Sequence, residues 1–152
     1  MKYRKAVFAL VYLIKGENIE YLVLKRKLHW KGWEFPKGAV ERFETRKGAV
    51  KREVFEETGI KIGRRGIKKF KFSGKYNYNK ILKDRSKFKG QMFSLYSVRA
   101  SEKRIRINKK EHSDYKWVNF DKALKTLKWP NQKKSLKMVD DWLKNEIQKK
   151  NS

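Results

Sequence analysis

The sequence predicts an α/β domain of the α+β kind built on a mixed or antiparallel sheet, and three observations carry that expectation. Residues 6–14 are continuously apolar and rich in β-formers, which reads as a central strand. Phe70 and Phe72 alternate with Lys69, Lys71 and Ser73, the period-two pattern of a half-exposed strand. Residues 45–58 contain no proline, carry Glu, Arg, Lys and Ala, and stop at Gly59, the residue best able to turn left-handed after a helix.

The other elements follow in chain order. Lys15-Gly16-Glu17-Asn18 is turn chemistry, so residues 21–27 form a second strand paired with the first as a hairpin. Residues 29–38 read as a loop containing glycine and tryptophan, and residues 75–90 as a long polar loop suited to binding substrate. Residues 92–99 and 115–119 read as two further strands. A short helix is expected at 121–127 and a longer one at 131–148, where Leu136, Val139, Trp142, Leu143 and Ile147 share an apolar stripe. No repeat or linker divides the chain, so residues 1–152 are read as one domain.

Composition excludes several classes of function. With no cysteine there is no disulfide, no thiolate metal site and no cysteine nucleophile, so a metal must sit on oxygen or nitrogen and a hard cation is favoured. No stretch approaches the roughly 20 apolar residues of a membrane span, and a cytoplasmic protein without a membrane partner is expected. The net charge of +26, from 42 basic and 16 acidic residues, should attract phosphates, polyphosphates or nucleic acid. Because the lysines are spread from Lys2 to Lys150, the charge does not choose between a small nucleotide and RNA.

The chemistry concentrates in residues 38–60. At about 100° per residue, Glu53, Glu56 and Glu57 fall within an arc of roughly 100° on one helix face. Such a cluster repels itself unless a cation neutralises it, and oxygen ligands suit Mg²⁺ or Mn²⁺. Paired with lysines, the same glutamates would form an ordinary acidic face. The stretch as a whole, with Gly38, Glu44, Arg52, Glu53, Val54, Glu56, Glu57, Gly59 and Ile60 at its defined positions, resembles the Nudix box.

That resemblance implies the Nudix fold, a mixed β-sheet sandwiched between α-helices, and divalent-metal-dependent hydrolysis of a pyrophosphate bond. It implies that Glu53, Glu56 and Glu57 ligate magnesium or manganese and that Glu57 or Glu53 is the general base. Gly38, Glu44, Arg52 and Gly59 take structural roles, with a Glu44–Arg52 salt bridge fixing the box. Glu111 is either a further ligand from outside the box or a surface ion-pair partner of Lys109 and Lys110.

Three flanking segments bear on the substrate. Trp33-Glu34-Phe35-Pro36-Lys37-Gly38 is similar both to the diadenosine tetraphosphate hydrolases and to mRNA decapping enzymes. The Glu111-His112-Ser113-Asp114-Tyr115-Lys116-Trp117 segment and Trp129-Pro130-Asn131-Gln132 look like the diadenosine polyphosphate group. This resemblance implies a dinucleoside polyphosphate substrate, with Lys37 and Lys89 on its phosphates and Tyr76 or Tyr78 stacked on a base. Trp142 is placed either near a nucleobase or in the helix core. The alternatives are an RNA 5′-end pyrophosphohydrolase or decapping-like enzyme, and a catalytically idle Nudix-fold module that binds nucleic acid or protein.

Overall fold

The computed structural model describes residues 2–78, 80 and 82–151. Seven strands form one sheet: β1 (Lys2–Lys15), β2 (Asn18–Arg26), β3 (Gly32–Glu34), β4 (Lys37–Ala39), β5 (Ile67–Asn77), β6 (Phe88–Arg99) and β7 (His112–Val118). The helices are α1 (Arg46–Thr58), α2 (Phe120–Thr126) and α3 (Pro130–Asn151). Its main path runs β3-β2-β1-β6-β5, with β4 paired to β1 and β7 to β2. The β1–β6 pair is parallel and the others are antiparallel, so the sheet is mixed.

Strand β1 is apolar without alternation because both of its faces are covered. Ala6, Phe8, Leu10 and Tyr12 enter a core with Leu127, Leu136, Val139 and Leu143, while Val7, Ala9, Val11 and Leu13 enter a second core with Ala49, Val50 and Val54. The sheet thus lies between α1 on one side and α2 with α3 on the other. Val50 and Val54 are fully buried, and each such side chain contributes roughly 1.5–3 kcal/mol of burial. That anchorage fixes which face α1 turns outward.

The ends of α1 follow from local chemistry. Thr45 stays extended and its side chain accepts from Gly48 N–H at 3.0 Å, while Gly59 takes φ +77° and donates its N–H to Phe55 at 2.8 Å.

Two expected loops are corrected. Residues 29–38 hold β3 and most of β4, and the loop expected at 75–90 is shorter because both of its ends are sheet: Lys75, Tyr76 and Asn77 pair with Met92, Gln91 and Gly90. An edge ladder satisfies its backbone through a distant partner, so a polar local sequence does not preclude it. Tyr76, within β5, and Tyr78, just beyond it, are half-buried.

Candidate active site

Helix α1 is held against the preceding loop by Arg52. Its guanidinium donates Nε and Nη2 to the two oxygens of Glu44 at 2.8 and 2.9 Å, and Nη2 also donates to the Ala39 carbonyl at 2.8 Å. This planar fork suits a bidentate partner. The remaining nitrogen, Nη1, reaches Glu53 Oε1 at 2.7 Å and Glu56 Oε2 at 3.3 Å. Arg52 therefore orients two of the box carboxylates.

The three glutamates are not equivalent. The Glu57 side chain is sealed at 1% exposure, whereas those of Glu53 and Glu56 are 14% and 51% exposed. Burial pushes the Glu53 carboxyl up to about 7, against the pull of Arg52 and reinforced by Glu56 and Glu111. The Glu57 carboxyl is raised well above the usual range, first by burial and then by Glu34, Glu53 and Glu111. Lys37 N–H donates to Glu57 Oε2 at 3.2 Å, and Glu57 Oε1 is buried with no hydrogen-bond partner.

Glu111 arrives from the segment before β7. Single ligand atoms of Glu57, Glu111 and His112 lie within 4.8 Å of one another. A divalent cation fits this set, because a buried unpartnered carboxylate oxygen and crowded like charges are what a cation relieves.

Beneath these groups lies a buried network that sequence reasoning missed. Glu34 is fully buried, and its Oε2 receives Arg26 Nη1 at 3.0 Å and His112 Nε2 at 2.8 Å, while Lys37 Nζ stands 3.4 Å from its Oε1. Burial alone would raise the Glu34 carboxyl, but Lys37, His112 and Arg26 outweigh it and hold it at about 2. Because Glu34 is ionised, His112 Nε2 must carry the proton it shares with it. The histidine is thus fixed from behind, and the only signal for this pairing was a charged residue between Trp33 and Phe35.

The other expected substrate residues are spread more widely. Lys37 Nζ lies 5.9 Å from the Tyr76 ring, which links Tyr76 to the carboxylates. Lys89 sits over the Tyr3 ring at 4.8 Å. Trp142 packs edge-on against Phe70 at 5.6 Å and beneath Lys68, contacts that serve the core. His29 bonds Asp84 at 3.1 Å.

The family model for the NUDIX domain matches residues 2–139. The chain belongs to the Nudix family. It is similar to the 8-oxo-dGTP diphosphatase of Buchnera aphidicola subsp. Schizaphis graminum (strain Sg), 34% identical over 135 residues that cover 86% of this chain and 88% of that protein. Among solved structures, the E. coli dihydroneopterin triphosphate pyrophosphohydrolase superposes with a TM-score of 0.76 at 21% identity, covering 91% of this chain and 97% of that one. A C. elegans Ap4A hydrolase binary complex superposes with a TM-score of 0.69 at 22% identity, covering 92% and 97%. At that identity the superpositions establish the Nudix fold, while the family match and the curated relative make this Nudix protein a pyrophosphohydrolase. Among the described residues no helix is long and apolar enough to cross a membrane.

Proposed function

We propose that this Nudix hydrolase cleaves a pyrophosphate bond of a dinucleoside polyphosphate with Mg²⁺ or Mn²⁺ held by Glu53, Glu56, Glu57 and Glu111. When bound, the cation supplies Lewis acidity and neutralises charge on the polyphosphate. Within the chain, Arg52 orients Glu53 and Glu56, while Lys37 N–H orients Glu57. Of the two candidate bases, Glu53 is the better suited to take a proton from the attacking water, since it is partly accessible and Glu57 is sealed.

One observation supports the substrate class. The three segments that resemble diadenosine polyphosphate hydrolases meet under the carboxylates: His112 bonds Glu34 at 2.8 Å, and Gln132 Oε1 accepts Phe35 N–H at 3.2 Å. Segments far apart in the chain therefore serve one place. The 34% identity to an 8-oxo-dGTP diphosphatase supports a second reading, a damaged nucleoside triphosphate.

The test is a side-by-side assay of diadenosine tetraphosphate, 8-oxo-dGTP, triphosphorylated RNA, capped RNA and ADP-ribose, with chelator and with each metal. The highest kcat/KM is expected on diadenosine tetraphosphate, with negligible turnover in chelator. A preference for 8-oxo-dGTP would move the assignment to the second reading, preference for RNA to the RNA-end enzymes, and inactivity on all to a binding module. Glu57→Gln should lower turnover by about a hundredfold and weaken metal binding; Glu53→Gln should lower turnover as much while metal affinity falls less.

A further inference from the structure

Beside the carboxylates lies a positive pair that the hydrolytic groups do not use. Gln91 on β6 is 2% exposed, and its Oε1 accepts from Arg4 Nη1 at 3.0 Å, Arg85 Nη1 at 3.1 Å and Tyr78 O–H at 3.0 Å. Its Nε2 donates to the Tyr76 hydroxyl oxygen at 2.8 Å. One neutral amide oxygen thus holds two guanidinium groups together.

Elsewhere a buried and a half-buried arginine are each neutralised by carboxylates. Arg26 meets Glu34 and Arg52 meets Glu44, Glu53 and Glu56. Among the described residues no carboxylate hydrogen-bonds Arg4 or Arg85. The one ion pair is Asp84 Oδ2 to Arg85 Nε at 3.7 Å, and Asp84 is half-exposed and already bonded to His29. Arg85 Nε itself is buried without a hydrogen-bond partner. Burial and the Arg85 charge both disfavour the charged form of Arg4, while Glu53 favours it, which sets Arg4 within electrostatic reach of the carboxylate face.

Holding two like charges together on a neutral amide costs stability unless an anion arrives from outside. A carboxylate at position 91 would satisfy the pair internally; glutamine keeps the geometry and leaves the charge. Two guanidinium forks over a tyrosine-lined floor match the oxygens of a phosphate. We propose that Arg4 and Arg85, positioned by Gln91, form a receptor for a phosphate group of the substrate that lies outside the scissile bond. The receptor favours substrates with a long polyphosphate chain, a role that rests on the nucleoside polyphosphate reading above. Tyr76 and Tyr78 then act through their hydroxyls on Gln91 and Arg4.

The test is binding of inorganic tripolyphosphate to the full chain in chelator, by calorimetry, together with steady-state kinetics on diadenosine tetraphosphate and 8-oxo-dGTP. The R4A/R85A double variant should bind tripolyphosphate about tenfold or more weakly. A K122A/K125A control removes the same charge from exposed positions on α2 and should change binding less than about twofold. Gln91→Glu keeps the side-chain shape and should weaken binding about as much as R4A/R85A, with far-ultraviolet circular dichroism unchanged. On diadenosine tetraphosphate, Gln91→Glu should raise KM with kcat within about twofold, and Arg4→Lys should restore part of the loss seen in Arg4→Ala. Equal weakening by R4A/R85A and K122A/K125A, or a folded Gln91→Glu variant that binds tripolyphosphate like wild type, would overturn the receptor. Loss of tripolyphosphate binding in a protein that does not cleave diadenosine tetraphosphate would uphold the receptor and refute only the dinucleotide assignment.

Discussion

At Gly38 the space that a side chain would occupy is already filled, since an added Cβ would stand 2.0 Å from Glu53 Cδ. Gly38→Ala is therefore expected to push the Glu53 carboxylate out of place. Displacement by about an ångström costs on the order of a hundredfold in rate, so kcat should collapse while the melting temperature moves little. Near-normal turnover with a normal melting curve would show that Glu53 need not sit against β4. The glycine of the box was legible in the sequence, but its reason was not, because the clash is with a residue 15 positions later. The same holds for Glu53, Glu56 and Glu57, which share a helix face in the sequence and differ in burial only because β4 and Glu111 cover that face unevenly.

Helix α1 carries its carboxylates at a cost that pH should reveal. The Glu53 carboxyl is raised from its ordinary value to about 7, and Glu57 is raised as well. Between the unfolded value and the folded one these two groups bind more protons in the native state than in the unfolded chain, so their contribution to stability is fully present below the ordinary carboxyl range and is lost as pH rises through about 7. For Glu53 the loss is on the order of 3 kcal/mol at most. In chelator the melting temperature should accordingly drop between pH 5 and pH 8, and Mg²⁺ or Mn²⁺ should restore it. A melting temperature that rises with pH over this range in chelator would mean these carboxyls are not held against their charge.

The helices and the central hairpin were readable because their signals are local: caps, glycine stops and apolar periodicity. The β5–β6 ladder was only half visible. Its outer half carries Lys75, Asn77 and Lys89, whose chemistry is that of a loop, and the pairing that makes it sheet lies in the register with Gly90 and Met92.

Over the whole molecule, the charge of +26 raises the question of what it serves. An extended single strand of RNA would contact many lysines, and apparent affinity would fall by about 0.7 log units per log of salt for each contact. A dinucleoside polyphosphate reaches only a few groups, such as Lys37 and Lys89, so a shallow dependence of KM on ionic strength is expected. Lys89→Ala should weaken hydrolysis of diadenosine tetraphosphate, and neutralising exposed Lys122 and Lys125 should leave it unchanged. A steep slope on RNA with negligible cleavage of the dinucleotide would reverse the assignment.

By itself the sequence determined the family, the presence of a carboxylate-bearing helix closed by Gly59, and the expectation of a hard divalent cation. Those properties are written in spacing along a single helix and in residue types, and so need no distant partner. Only the tertiary structure decided that Glu57 is sealed while Glu53 stays reachable, that Glu34 rather than solvent fixes His112, and that Arg4 and Arg85 meet on Gln91. Each of these depends on strands far apart in the chain being brought side by side, and burial and charge are properties of that packing, not of the residue.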